Sequence, residues 1–112
     1  MGLITDYFEK ELNCPDITNI RVLSFDDVRI KLSTPKQMRH GIRKIFSDAE
    51  DYEHFIGDIL SQNGKDPADK MLVYNFFDTN SVPGYILKVS IASPTVNVNR
   101  AYLLHIRKIP KA

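Results

Sequence analysis

The stretch that decides the fold is residues 85–109, which read YILKVSIASPTVNVNRAYLLHIRKI. Both ends of this stretch are rich in β-branched and aromatic residues and alternate apolar with polar side chains, a pattern typical of β-strands. The Ser93-Pro94 step between them favours a loop. We therefore predict strands over 85–92 and 100–109, paired antiparallel because their connection is short.

Earlier segments of the chain carry the same strand pattern. Residues 71–77 precede a turn around Pro83, and residues 17–32 contain two alternating runs on either side of Asp26-Asp27, which predicts a β-hairpin. The sequence thus predicts a mainly antiparallel sheet of about five strands.

Apolar residues at helical spacing predict three helices over 3–12, 34–46 and 47–63. The second has Thr34 as a cap and proline at its first helical position, and the third opens with a capping box. Amphipathic helices need a sheet face to cover, so all three are expected on one side of the sheet. The predicted fold is α+β in the order α-β-β-α-α-β-β-β, with the other sheet face open.

Length and composition bound the class of protein. The chain has 112 residues, 43% of them hydrophobic and 26% charged, which predicts one globular domain over residues 1–112. Its single cysteine, Cys14, allows no internal disulfide and fits a reducing compartment. No apolar stretch near the N-terminus is long enough for a signal peptide or a membrane span. We therefore expect a cytoplasmic protein without a membrane partner.

The formal net charge of +1 hides a segregation of charges along the chain. Residues 29–44 carry six Lys or Arg and no acid, whereas residues 48–69 carry seven acids and only Lys65. Beyond Asp78 there are basic residues and no acidic one. Such clustering of positive charge favours an anionic partner.

Alternation along the strands predicts that cations collect on the open sheet face, a geometry suited to phosphates or to an acidic protein surface. Further cations lie on the polar side of the predicted second helix, where Arg39 and Arg43 are one turn apart. The predicted anion-binding residues are Arg29, Lys31, Lys36, Arg39, Arg43, Lys44, Lys88, His105 and Arg107. The leading hypothesis is a non-catalytic accessory or regulatory protein that binds RNA or DNA.

Other interpretations stay open. Charged residues also protect an exposed sheet face from aggregation. The acidic third helix or a strand edge could dock a protein partner or a second copy of the chain. A small-molecule site or an enzyme predicts a pocket near His105 or His54. Nucleic-acid-binding sheets usually stack bases on exposed aromatic residues, and here only Tyr74 and Phe76 are ambiguous candidates.

Sequence motifs for catalysis are absent. Three histidines and one cysteine lack the spacing of metal ligands, so no metal and no cofactor are expected. The chain contains no phosphate-binding Walker loop, no dinucleotide-binding glycine pattern and no nucleophile elbow. The sequence therefore favours binding over catalysis, although an active site assembled from distant residues would leave no motif.

Overall fold

The structure, a computed structural model, describes residues 3–33, 37–40, 44–66, 71–79, 82–98 and 100–111. The strands are β1 (Ile17–Ser24), β2 (Asp27–Leu32), β3 (Gln37–His40), β4 (Val73–Asp78), β5 (Tyr85–Ala92) and β6 (Leu103–Pro110). They form one six-stranded antiparallel sheet in the order β3-β2-β1-β6-β5-β4. The central pairing of β1 with β6 joins the two halves of the chain.

Two α-helices, α1 (Leu3–Asn13) and α2 (Ala49–Gln62), share a core with one face of the sheet. The alternate strand residues on that face are buried, so the apolar stripes of both helices pack against them. The helical members of the core are Ile4, Phe8, Leu12, Tyr52, Phe55, Ile56, Ile59 and Leu60. Burial of each large apolar side chain contributes roughly 1.5–3 kcal/mol. The helices therefore cover one sheet face and leave the other uncovered.

Local sequence explains where α2 begins and ends. The Asp48 carboxylate accepts a hydrogen bond from the Asp51 amide at 2.8 Å, and the first turn also carries Glu50. Both features stabilise a helix N-terminus. After the last turn, Gly64 adopts a φ of 72°, a left-handed conformation that glycine takes without strain. The predicted helix over 47–63 is confirmed.

Tyr52 ties α2 to the sheet. Its buried ring lies 4.9 Å from the Phe46 ring, and its hydroxyl approaches the Val22 carbonyl at 3.3 Å and also donates to the Tyr102 carbonyl. Burial raises the pKa of the Tyr52 hydroxyl, which stays protonated as a donor. The helix is thus positioned against β1 and against the residue before β6.

Lys108 is a buried cation on the helical side of β6. Its Nζ donates to the Cys14 carbonyl at 3.0 Å and lies 4.6 Å from the centre of the Tyr85 ring. Burial lowers the pKa of the Lys108 amine. A positive charge beside the C-terminal end of α1 also complements the helix dipole. These contacts give Lys108 a structural role in fastening α1 to the sheet.

The predicted second helix over 34–46 is wrong in its described part. Gln37–His40 form β3, which pairs antiparallel with β2, and residues 44–46 are not helical. Without β3, the outer edge of β2 would have unpaired backbone N–H and C=O groups. Gln37–His40 form hydrogen bonds with these groups, whereas the first turn of a helix would leave its own N–H groups without intrahelical partners. Tertiary pairing therefore overrides the helical spacing.

The α+β class is confirmed, with two described α-helices instead of three and the order α-β-β-β-α-β-β-β. The five longer strands match the predicted ones, and the four-residue β3 is the additional strand. The last strand begins at Leu103, later than predicted. Over the part of the chain that is described, no helix has the length and apolar character needed to cross a membrane.

A basic open sheet face as the candidate functional site

Strand alternation determines which side chains reach the uncovered face. In β1, Ile20 and Val22 are buried in the core, so Asn19, Arg21 and Leu23 point to the opposite side. The same parity holds in the neighbouring strands, because the pairing register is regular from Asn19 to Val22, where β1 pairs with both β2 and β6. Side chains from five strands therefore form parallel rows on the open face.

One row, here called the basic row, runs across five strands. Its members are paired strand to strand, as Lys31 with Asn19, Asn19 with Arg107, Arg107 with Lys88, and Lys88 with Phe77. Lys31, Arg107, Lys88 and Phe77 are all exposed. Since neighbouring strands are about 4.8 Å apart, the row spans roughly 19 Å. It offers three cations and, at its β4 end, an aromatic ring.

A second row, the mixed row, lies two residues further along the strands. It consists of Arg29, Arg21, His105, Ser90 and Asn75, each opposite the next in the sheet register. Ser90 donates a hydrogen bond to the Asn75 side chain at 2.7 Å. The basic and mixed rows together place five arginine or lysine side chains on one face.

Most of these cations have no partner carboxylate in the described part of the chain. Within the described residues, no carboxylate lies within ion-pair distance of Arg21, Lys31, Lys88 or Arg107. Arg29 differs, because its guanidinium binds the Asp27 carboxylate through two nitrogens, at 3.1 and 3.3 Å. The face therefore carries net positive charge that is free to attract anions.

The opposite side of the molecule is acidic. The exposed surfaces of the two helices carry Asp6, Glu9, Glu50, Glu53 and Asp58. His54 lies on the same surface, with its Nε2 atom 3.9 Å from the Glu50 carboxylate. The segregation of charge along the sequence thus becomes a separation between two faces, and an approaching polyanion is steered toward the sheet.

His105 sits in the middle of the cationic face as a neutral side chain. The Thr18 hydroxyl donates to the Asn19 side-chain oxygen at 2.8 Å, which leaves the Asn19 amide to donate to His105 Nε2, also at 2.8 Å. Burial and the nearby cations Arg21, Arg107, Lys88 and Lys31 lower the pKa of His105. An anion bound beside the ring would offset that repulsion and favour its protonation.

The predicted site residues divide into two groups. Arg29, Lys31, Lys88, His105 and Arg107 come together on the open face, as the alternation indicated.

Arg39 and Lys44, the described members of the set assigned to the second helix, are not helical. Arg39 belongs to β3, where it lies opposite Ile30, and Lys44 is exposed in an irregular segment. Lys36 and Arg43 lie outside the described residues.

Sequence reasoning missed Arg21, a cation of the face, and Phe77, its exposed aromatic ring. Arg21 lies between the buried Ile20 and Val22, so the same alternation was available to find it. Phe77 is 62% exposed and lies opposite Lys88, whereas Tyr74 is buried in the core.

Phe76, the other aromatic residue considered from the sequence, packs partly against the core. Among the strand residues whose burial the structure describes, the exposed aromatic residue is therefore its neighbour, Phe77.

No known protein family model matches the sequence, and no curated protein matches it. Among solved structures, the fold is similar to part of the VirB11 ATPase from the Brucella suis type IV secretion system, which was solved in complex with sulphate. The sequences are 15% identical and the TM-score is 0.71, with 99% of this chain and 33% of the ATPase chain covered. The likeness shows the fold alone. This chain spans about a third of the length of that ATPase.

Proposed function

We propose that this chain is a non-catalytic accessory or regulatory protein that binds single-stranded RNA or DNA on its open sheet face. The observation that carries the proposal is the basic row, in which Lys31, Arg107 and Lys88 lead to the exposed ring of Phe77. Single strands are bound by sheets that combine cations along the phosphate backbone with aromatic rings on which bases stack. A cytoplasmic location, expected from the single cysteine, is part of the proposal.

The charge distribution favours a single strand over a duplex groove. α2 is the longer helix, and its exposed surface carries Glu50, Glu53 and Asp58. The phosphates of a duplex would repel these carboxylates. Among the residues that the structure describes, the sheet face has no such acidic surface apart from Asp27, which is engaged by Arg29. A flexible strand can follow the sheet face while staying clear of the helices.

Fluorescence anisotropy with labelled single-stranded RNA and DNA at two salt concentrations tests the proposal. We expect binding at low salt that weakens as salt rises, because phosphate contacts release counterions. The triple variant K31Q/K88Q/R107Q should lose this binding. A matched variant, K10Q/K65Q/R100Q, removes three cations that lie outside both rows and should bind as the wild type does. No binding at low salt, or binding indifferent to salt, would end the proposal.

A specific observation also supports a protein-interaction function. β4 is an edge strand, and the exposed residues at its start are Met71, Leu72 and Val73. Exposed apolar edge strands pair readily with another strand. In this second candidate function, two copies of the chain pair their β4 edges into a continuous sheet. A dimer in light scattering that Leu72→Lys dissociates would support it, and a monomer at every concentration would contradict it.

A further inference from the structure

A hollow of about 390 Å³ lies on the open face, next to the mixed row on the side away from the basic row. One side of it is apolar and is formed by Val73, Ala92 and Leu103, which are paired in the sheet register, together with Leu23. We call these residues the apolar row. The other side is formed by the neighbouring mixed row, through Arg21, Arg29, Ser90 and His105.

The size and lining of this hollow match a small-molecule site. Ligand pockets in proteins measure roughly 300–1,000 Å³ and combine mostly apolar walls with a few polar groups that fix orientation. Val73 is 43% exposed and lines the hollow, so part of its apolar surface is in contact with solvent. Covering this apolar surface with a ligand removes it from water, which favours binding.

The polar side of the hollow carries one uncompensated full charge. The Arg29 guanidinium is neutralised by Asp27, and His105 accepts a hydrogen bond at Nε2 as a neutral ring. Among the described residues that line the hollow, Arg21 is therefore the cation without a carboxylate partner. A guanidinium matches the two oxygens of a carboxylate with parallel hydrogen bonds, so a singly charged carboxylate balances the site.

We propose that this hollow binds a small amphipathic carboxylate, with its apolar body on Val73, Ala92 and Leu103 and its carboxylate on Arg21. Arg21 lies on β1, two strands and two residues away from Ala92 at the centre of this apolar surface, a backbone separation of roughly 12 Å. The long arginine side chain covers about half of that distance. A rigid bicyclic aromatic acid, which carries its carboxylate a few ångströms from the centre of its rings, spans the rest.

Binding of the acid adds a negative charge beside His105. Arg21, Arg107, Lys88 and Lys31 surround the ring and oppose its protonation. The bound carboxylate offsets this repulsion, so occupation of the hollow raises the pKa of His105. The histidine therefore serves as an internal reporter, because its NMR titration moves to higher pH only when the charge lies in the hollow.

The experiment compares 2-naphthoate with its neutral isostere 2-naphthamide by titration calorimetry on the full chain. We expect the acid to bind roughly tenfold more tightly than the amide, the scale of a charge-assisted hydrogen bond. Arg21→Gln should remove this preference while the amide binds as before. Val73→Thr should weaken both ligands by about fivefold, since it replaces an apolar contact by a hydroxyl.

Lys88→Gln is the matched control, because Lys88 lies on the same face but outside the hollow. It should change the preference for the acid by less than about threefold, since this exposed charge acts on the carboxylate only through solvent and makes no hydrogen bond to it. Both Arg21 and Lys88 are exposed, so neither variant should lose its thermal unfolding transition.

Three results would overturn the inference. They are equal binding of the acid and the amide, retention of the preference for the acid in Arg21→Gln, and no binding of either ligand at millimolar concentration. None of these results depends on the nucleic-acid proposal. That proposal rests on the basic row and fails by loss of salt-dependent oligonucleotide binding, whichever way the naphthoate titration turns out.

Discussion

Replacing Lys88 by Gln should reduce the salt dependence of oligonucleotide binding by the equivalent of one phosphate contact. Among the described residues, the open face has four cations without a carboxylate partner, namely Arg21, Lys31, Lys88 and Arg107. Each contact to a single strand contributes about −0.7 to the slope of log K against log salt. Four contacts predict a slope of about −2.8 for the wild type and about −2.1 for the variant.

These slopes translate into a measurable difference in affinity. A fourfold rise in salt should weaken the wild type by about 50-fold and Lys88→Gln by about 20-fold. Anisotropy titrations of a labelled single strand between roughly 0.05 and 0.2 M salt would measure both slopes. Lys10→Gln, which removes an exposed charge from α1, provides the control and should keep the wild-type slope. An unchanged slope in Lys88→Gln, or an equal decrease in Lys10→Gln, would refute the assignment of the basic row.

Three further predictions follow from the same contacts. Tyr52→Phe should lower the free energy of unfolding in urea by about 1–3 kcal/mol, because the partly buried Tyr102 carbonyl loses the hydrogen bond from this hydroxyl; an unchanged stability would contradict this hydrogen bond. The pKa of His105 in the folded chain is lowered from 6.5. As the pH falls below 6.5, the unfolded chain therefore binds a proton at His105 more readily than the folded chain does, and the contribution of His105 to stability is lost. Urea unfolding of the wild type and of His105→Gln at two pH values would test this, and parallel pH profiles would refute it. Phe77→Ala should weaken oligonucleotide binding by about 5- to 150-fold, the loss of one stacked base, without changing the salt slope; an altered slope would show that the ring does not act by stacking.

The open face could be predicted from the sequence because strand alternation is a local property. Once Val28, Ile30 and Leu32 are assigned to the core, Arg29 and Lys31 must point the other way. The sheet register then brings them onto one face with Arg107 and Lys88, as expected.

The short strand β3 could not be predicted in this way. Its four residues pair only with β2, so their conformation depends on an available sheet edge that the local sequence does not specify. Phe46 illustrates the difference, because it is buried in the core as the helical pattern required although its segment is not helical.

Two details of the site could not be read from the order of residue types along the chain. The adjacent pair Phe76-Phe77 obscures the alternation that sends Phe77 to the open face. Asp27 resembles a turn residue next to Asp26, yet it is the first residue of β2 and therefore shares a face with Arg29. The resulting ion pair takes Arg29 out of the set of free cations.

The central claim is that the open sheet face contacts the phosphates. Its most direct test is an NMR titration of the arginine side-chain Nε–Hε resonances with a single-stranded oligonucleotide. The account predicts progressive shifts for Arg21 and Arg107 and none for Arg100, which is exposed in the loop before β6. Unshifted resonances of Arg21 and Arg107 in a saturated complex, or equal shifts at Arg100, would contradict it.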